Sequence, residues 1–286
     1  MLVGLGFVVL MGCVFGLYML HGGSMQVILK AAPIEIGIIL GAGLGATIIG
    51  NDVRTLKGLA AGFRRVVVGS SVGRGDYLET IFLAAGLMKT LQKKGPRALE
   101  NDIENPMSSE VFVAYPGVLR NPQLLGLITN TLRLLIVSSG NAKWQDVEGV
   151  METAIAAVHK ERLRPVTALE KLAAGLPALG IVACILGIVK TMASIDSPPS
   201  VLGALIASAL VGTFLGVFLA YGLVEPLSIR LKRIVNQEME LFHVVQQIVV
   251  GTLAGHSQPL IIEAARASIE PSLQPSFEDV FDGLLN

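Results

Sequence analysis

The stretch VLGALIASALVGTFLGVFLAYGLV, residues Val201–Val224, contains no Asp, Glu, Lys, Arg or His. A helix of about 20 apolar residues is long enough to cross the hydrocarbon core of a bilayer. In lipid, small residues at helical spacing let two helix backbones approach closely. The stretch therefore predicts a membrane-spanning helix that packs tightly against another helix. Its small residues recur at every fourth position: Ala204, Ser208, Gly212, Gly216 and Ala220.

Three further runs are free of charge, namely Leu2–Leu20, Ile36–Gly50 and Leu172–Val189. The chain is 52% hydrophobic and only 15% charged, whereas about a quarter of the residues of a soluble domain are charged. No basic residue precedes the first run, so we expect it to be retained as a span and not cleaved as a signal peptide. We predict an all-α integral membrane protein with four transmembrane helices.

The distribution of basic residues predicts the topology. Lys and Arg are frequent in the long segment between spans two and three, and Arg230, Lys232 and Arg233 directly follow span four. The short loop between spans one and two holds one basic residue, Lys30. The loop between spans three and four holds no basic residue and contains Asp196. Because Lys and Arg mark the cytoplasmic side, we expect both termini in the cytoplasm. The predicted parts are transmembrane helices 1 and 2 with a short periplasmic loop (1–50), a cytoplasmic helical domain (51–168), transmembrane helices 3 and 4 (169–226) and a cytoplasmic C-terminal helix and tail (227–286).

Apolar residues at helical spacing predict helices in the cytoplasmic part, and no long stretch alternates as a strand would. Caps and glycine–proline pairs mark where these helices begin and end. The predicted helices are one that begins near Asp76-x-x-Glu79 and stops at Gly95-Pro96, one over Leu124–Val137, one over Asp146–Arg162 closed by Pro165, and one over Leu227–Leu253 that continues span four.

A short segment between the first two of these helices carries both signs of charge. One interpretation is a solvated, salt-bridged loop, and the other is a surface on which opposite charges steer a partner protein. The segment includes Lys93, Lys94, Arg97 and Glu100.

The predicted spans contain prolines and hydroxyls but no ionisable side chain at their centres. Glu35 and Glu225 are expected at the edges, so a transported ion would need an ionisable ligand from another chain. Thr213 and Ser208 are the hydroxyls near the middle of span four. Each could bond to its own helix backbone or face a partner's carboxylate. Span three contains Pro177 and span four ends at Pro226, and each proline predicts a kink that is either structural or a hinge.

Four motifs together resemble the flagellar motor stator A subunit, the MotA family related to the ExbB/TolQ proton channels. The segment 209–218, ALVGTFLGVF, followed after seven residues by Pro226, is similar to the family signature. The segments LENDIENP at 99–106 and LPALGIV at 176–182 resemble its cytoplasmic and third-span motifs, and Gly16-x-x-x-x-His21-Gly22-Gly23-Ser24 resembles its opening.

This resemblance implies a stator subunit that forms an ion channel with MotB and converts ion flow into torque. It implies five copies in the bacterial inner membrane around a B subunit that supplies a transmembrane Asp, and a contact with the rotor switch protein FliG. It implies no enzyme activity, cofactor, metal or nucleic-acid partner. By position, Thr213 matches the hydroxyl at the ion site, Pro177 and Pro226 match two functional prolines, and Glu100 matches a rotor-contact glutamate.

The sequence departs from the family at two positions. A functional basic residue of the family falls at Gln92, where Lys93, Lys94 or Arg97 could substitute for it. Cys184 stands in span three where sodium-type members carry Thr, and a thiol is a poorer ligand than oxygen for a hard cation. The sequence therefore favours protons.

Two alternatives remain. An ExbB- or TolQ-like energy transducer would also be driven by a proton gradient, but such chains resemble three-span proteins, whereas four spans are predicted here. A membrane scaffold without transport would explain the small residues and the charged segment but not the prolines beside Thr213.

Overall fold

The computed structural model describes residues 2–69, 72–138 and 142–285. These ranges are mainly helical and contain no strand, which confirms the predicted fold class. Four helices in the described part are long and apolar enough to cross a membrane: Val3–Leu20, Met25–Gly50, Trp144–Met192 and Pro199–Leu253. The chain divides into two compact units, which we call the membrane unit (Met1–Gly69 and Leu163–Lys232) and the cytoplasmic unit (Ser70–Arg162 and Arg233–Asn286).

The membrane unit begins with a span that a π-turn interrupts, and a longer second span follows. Helix α1 covers Leu2–Met11, the π-turn covers Gly12–Gly16, and α2 covers Leu17–Leu20. Helix α3 covers Met25–Gly50 and α4 covers Val53–Val68. The carboxylate of Asp52 accepts a 2.7 Å hydrogen bond from the Thr55 N–H, so the N-terminus of α4 is capped by a side chain.

The second span begins well before the charge-free run Ile36–Gly50. Helix α3 begins at Met25 and passes through Pro33 and Glu35 without a break. Both residues lower the local apolar character, so the charge-free run Ile36–Gly50 covers only the C-terminal part of the helix. Glu35 therefore lies about 15 Å along the helix axis from Met25, well inside the span and not at its edge.

The third and fourth spans belong to helices that extend beyond the membrane. Helix α10 covers Trp144–Met192, and α11 covers Pro199–Leu219. A second π-turn, Ala220–Val224, joins α11 to α12, which covers Glu225–Leu253. The prediction that the tail continues span four is confirmed. The core of this unit includes Ile39, Leu176, Val211, Leu215 and Ala220.

The prediction that Pro165 closes a cytoplasmic helix is wrong, because α10 continues through Pro165 and Pro177. A Cβ atom added to Gly58 of α4 would lie 2.7 Å from Cγ of Pro165. The proline ring is therefore accommodated against the bare backbone of Gly58. Tertiary packing here overrides the local tendency of proline to end a helix.

The cytoplasmic unit is built from short helices around one apolar core. Helices α5 and α9 confirm the first two predicted cytoplasmic helices, and Gly95, at φ 79°, follows the end of α5 as predicted. The expected cap is different, because Asp76 accepts a bond from the Gly73 N–H and Glu79 accepts one from the distant Gly117 N–H. The helices are α5 Arg74–Lys94, a 3₁₀ turn Pro96–Leu99, α6 Glu100–Glu104, α7 Glu110–Val113, α8 Pro116–Leu119, α9 Pro122–Val137, α13 Gln258–Ala267 and α14 Phe277–Leu285.

A polar network lies beside the core of the cytoplasmic unit. The hydroxyl of the fully buried Tyr77 donates to Oε2 of Glu240 at 2.9 Å and to the Gln237 carbonyl at 3.0 Å. Burial, together with the Glu240 carboxylate, raises the pKa of Tyr77 far above its ordinary value. The Arg162 guanidinium binds Glu238 at 2.9 Å and lies 5.1 Å above the ring of Phe242. The Tyr77 bonds join α5 to α12, and the Arg162 bond joins α10 to α12.

Candidate functional site

Helices α10 and α11 meet through their backbones in the middle of the membrane unit. A Cβ added to Gly180 would lie 2.9 Å from the carbonyl oxygen of Gly212 and 2.9 Å from Cα of Gly216. A Cβ added to Gly216 would lie 2.7 Å from Cα of Gly180. No side chain fits at either position, so the predicted tight packing of span four is present and its partner is span three.

The glycine stripe of the second span has a different environment. Added Cβ atoms at Gly37, Gly41 and Gly45 would meet nothing within 4 Å. The face of α3 that is buried in the chain instead carries Ala31, Glu35, Ile39, Gly43 and Thr47. The stripe is therefore an open surface of the described chain.

Thr213 and Ser208 are both half-buried on α11, but they do not share a face. Five residues separate them, so their side chains lie about 140° apart around the helix. The described part of the chain offers neither hydroxyl a hydrogen bond, whereas Thr47 and Thr191 bond to the carbonyls four residues before them. The Thr213 hydroxyl is thus available to water or to another chain.

Cys184 is buried on α10, and its backbone nitrogen would lie 3.2 Å from a Cβ added to Gly212. This places Cys184 and Thr213 at the same level of the α10–α11 contact. The third element at this level is α3, because Oε2 of Glu35 would lie only 2.6 Å from that same Cβ.

Glu35, which the sequence predicts at the edge of a span, lies within α3 on the face that is buried in the chain. Its side chain is 7% exposed, and Oε2 has no hydrogen-bond partner. Sequence reasoning placed this residue at the edge of the span because the apolar run was counted from the residue after it. The apolar residues of 25–34, which outnumber Gln26 and Lys30, are the signal that would have extended the span.

The two predicted hinge prolines lie in different helical contexts. Pro177 lies within a continuous α10 one turn before Gly180. Pro226 directly follows the π-turn Ala220–Val224, in which the Glu225 N–H donates to the Ala220 carbonyl. Because proline has no N–H, each leaves the carbonyl four residues earlier without its helical donor. A π-turn beside a proline is a known site of helix distortion.

An aromatic cluster connects the first span to α11 next to Thr213. The ring of Phe15, in the first π-turn, lies 5.8 Å from that of Phe214 and 5.4 Å from that of Phe218. Sequence reasoning missed this cluster. Phe214 and Phe218 are one helical turn apart, but Phe15 is far from both in sequence. Their edge-to-face geometry holds the π-turn of span one against α11.

The charged segment of the cytoplasmic unit is exposed on a fixed support. Lys93 and Lys94 end α5, Arg97 lies in the 3₁₀ turn, and Glu100 begins α6, all with exposed side chains. The support is apolar, since Leu99 and Ile103 are each 1% exposed.

One acid of this segment is paired and another is not. Arg133 binds Glu104 at 2.8 Å and lowers the pKa of that carboxyl. Glu100 has no ion-pair partner among the described residues. The segment therefore presents unpaired charges of both signs, as a charged contact surface requires.

Comparison with known proteins connects both halves of the chain to one group. Residues 4–95 match the family described as Motility protein A N-terminal, and residues 125–243 match the MotA/TolQ/ExbB proton channel family. The chain is 37% identical to motility protein A of Salmonella typhimurium over 97% of this chain and 92% of that protein. It is 34% identical to chemotaxis protein LafT of Vibrio parahaemolyticus over 96% and 95% of the two chains.

Solved structures show a similar fold. A chain of the C. jejuni MotAB structure has a TM-score of 0.71 at 17% identity. The match covers 96% of this chain and 97% of that chain. A chain of the flagellar MotAB stator complex from Bacillus subtilis has a TM-score of 0.67 at 20% identity, with 99% of each chain covered. The similarity extends through both units.

Proposed function

Because this chain belongs to the motility protein A (MotA) family, we propose that it is the A subunit of a bacterial flagellar motor stator. With a MotB-type B subunit it forms a proton channel in the inner membrane and converts proton flow into torque on the rotor. The observation that carries this proposal is the backbone contact of α10 and α11 at Gly180 and Gly216. The Thr213 hydroxyl, which has no hydrogen bond among the described residues, lies beside this close helix contact, with Pro177 on α10 and Pro226 on α12 near its ends.

The ion path runs between this chain and the B subunit and is lined by Thr213, Ser208 and Cys184. The B subunit supplies a transmembrane Asp, and the Thr213 hydroxyl donates to that carboxylate or orients its water. Ser208 faces another direction on α11 and contacts a different part of the path. The Cys184 thiol is a poor ligand for sodium, which favours protons.

Torque arises from a two-state helix pair. When the partner's Asp takes up a proton, it loses its charge, and its interaction with the Thr213 hydroxyl weakens. The α10–α11 pair then moves about Pro177 and Pro226, where missing backbone hydrogen bonds make bending easiest. Because α10 begins in the cytoplasmic unit and α12, which follows α11, continues into it, movement of the pair reaches the rotor-contact segment.

The rotor contact consists of Glu100, Lys93, Lys94 and Arg97, which meet complementary charges on the switch protein FliG. Both termini lie in the cytoplasm, as Arg230, Lys232 and Arg233 beside span four indicate. Five copies of the chain surround two B subunits. The open stripe Gly37, Gly41 and Gly45 suits close contact with a neighbouring copy.

Proton flux into vesicles under an imposed potential tests the channel. The chain alone should insert as an oligomer that does not conduct, because Thr213 and Ser208 do not ionise near neutral pH. Addition of a B subunit with its transmembrane Asp should create flux, and Asp→Asn in the partner should abolish it. Thr213→Val should lower the flux without lowering the amount of inserted protein, with Thr191→Val as a control because that hydroxyl is bonded to its own helix.

Two outcomes would contradict the proposal. A clear proton current through the A chain alone would show that the path needs no acid from the partner. Normal swimming of a strain that lacks this chain would instead favour an ExbB- or TolQ-like energy transducer, which serves the cell envelope and not the motor.

A further inference from the structure

Glu35 is an acid of this chain inside the membrane unit that the proposed channel mechanism does not use. Helix α3 runs from Met25 to Gly50, so Glu35 lies about 15 Å from one end and about 22 Å from the other. The hydrocarbon core of a bilayer is about 30 Å thick. Glu35 is therefore close to the middle of α3, a helix long enough to cross that core.

The described residues that pack against Glu35 carry no charge that could balance a carboxylate. The side chain is 7% exposed. On α11 it lies over Gly212, in a helix without any ionisable residue, and the α10 residues at this level are Ala183 and Cys184. On α3 itself, the buried face adds only Ala31, Ile39, Gly43 and Thr47, and the Thr47 hydroxyl is bonded to the Gly43 carbonyl. An unpaired carboxylate is strongly disfavoured in such a place.

Gly212 makes room for this carboxyl group. A methyl group at Gly212 would lie 2.6 Å from Oε2 of Glu35, which is closer than two unbonded atoms approach. Because Oε2 has no hydrogen-bond partner, the structure accommodates the group by shape and not by polar contacts. The Glu35 carboxyl thus occupies the space that the missing side chain of Gly212 leaves free, one residue before Thr213.

We infer that Glu35 is a proton-binding site of this chain itself. Its carboxyl holds a proton while α3 rests on α11, and it releases that proton when the two helices part. On release, the O–H bond of the carboxyl breaks, the proton passes to a water molecule of the ion path, and the electron pair stays on the carboxylate. The inference that Glu35 is protonated at rest does not depend on the proposed function. The inference that it releases this proton during ion flow rests on the proposed function.

Infrared spectroscopy of the A–B complex in vesicles tests both parts. With Asp→Asn in the B subunit, so that the partner adds no such signal, the carbonyl band of a protonated carboxylic acid should be present at neutral pH. It should be lost in Glu35→Gln and retained in the control Glu225→Gln, whose carboxyl is exposed. In deuterated water the band should shift slowly at rest. Under an imposed potential it should shift about sevenfold faster per 100 mV, because a proton at mid-bilayer crosses about half of the field.

Each result decides one part. If Glu35→Gln removes a carboxylate band and not an acid band, Glu35 is ionised and the inference is wrong. Equal exchange with and without potential, in vesicles that conduct protons, overturns the release step. Vesicles that do not conduct overturn the proposed function, and the resting band still decides whether Glu35 holds a proton. If Glu35→Gln does not assemble, Gly212→Ala should displace the carboxyl and shift the band, and an unchanged band would refute the packing.

Discussion

The two units of this chain are stabilised in opposite ways. In the membrane unit, α10 and α11 touch where side chains are absent, at Gly180, Gly212 and Gly216. In the cytoplasmic unit, the core is filled by large side chains such as Tyr77 and Phe242, both fully buried. Lipid tails are as apolar as leucine, so large apolar side chains gain little by leaving them, and close backbone packing becomes decisive. In water, burial of large apolar surfaces is the main driving force.

The largest expected effect tests the cytoplasmic unit through Phe242. Phe242→Ala should lower the free energy of unfolding of this unit by about 3–5 kcal/mol, because it removes a fully buried ring and leaves a cavity. The ring also lies under the Arg162 guanidinium. Thermal unfolding of the detergent-solubilised chain measures the loss. Phe277→Ala, at a ring that is 55% exposed, should change it much less.

In the membrane unit, a larger side chain at the helix contact should lower stability, whereas in the cytoplasmic core a smaller one should. Gly216→Ala adds one methyl group 2.7 Å from Cα of Gly180, which should cost about 1–3 kcal/mol of stability through overpacking. Gly203→Ala on the same helix meets nothing within 4 Å and is the matched control. Size-exclusion chromatography of the complex with the B subunit compares them. If both variants assemble equally, backbone contact is not what holds α10 to α11.

A smaller effect should separate polar from apolar contributions within the cytoplasmic unit. Tyr77→Phe keeps the ring but removes the hydroxyl bonded to Glu240, which should cost about 1 kcal/mol. The pKa of Tyr77 is raised in the folded chain. Its contribution is therefore complete below the unfolded pKa of about 10 and is lost as the pH rises above that value. Tyr77→Phe should flatten this alkaline loss, and an unchanged pH profile would show that another group causes it.

The smallest effect on stability, with a large effect on swimming, is expected at the exposed charged segment. Glu100→Lys should leave the unfolding temperature and membrane level of the chain unchanged, because Glu100 has no ion-pair partner among the described residues. Swimming speed should fall, and a compensating charge change on the rotor should restore part of it. Glu110→Lys, also exposed, is the control. Loss of Glu100→Lys protein from the membrane would mean that the residue is structural.

Local sequence determined much of the architecture. Apolar runs are sufficient to identify four spans, because the cost of unpaired charge in lipid acts on each segment separately. The ends of α5 and α9 were also predictable, since Gly95, Pro96 and Ser138 act within one turn of the helix. The spacing of small residues predicted that span four packs closely against another helix, but it did not identify span three as that partner.

Tertiary structure decided what local rules predict wrongly. Pro165 should end a helix, yet α10 continues because Gly58 leaves room for the ring. Glu35 should mark the edge of a span, yet it lies inside one because Gly212 leaves room for its carboxyl. In both cases a residue that is unfavourable in its own helix is accommodated by an absent side chain on a helix distant in sequence. Periodicity and hydropathy describe one helix at a time, so they contain no information about such a space, which exists only once the helices have packed.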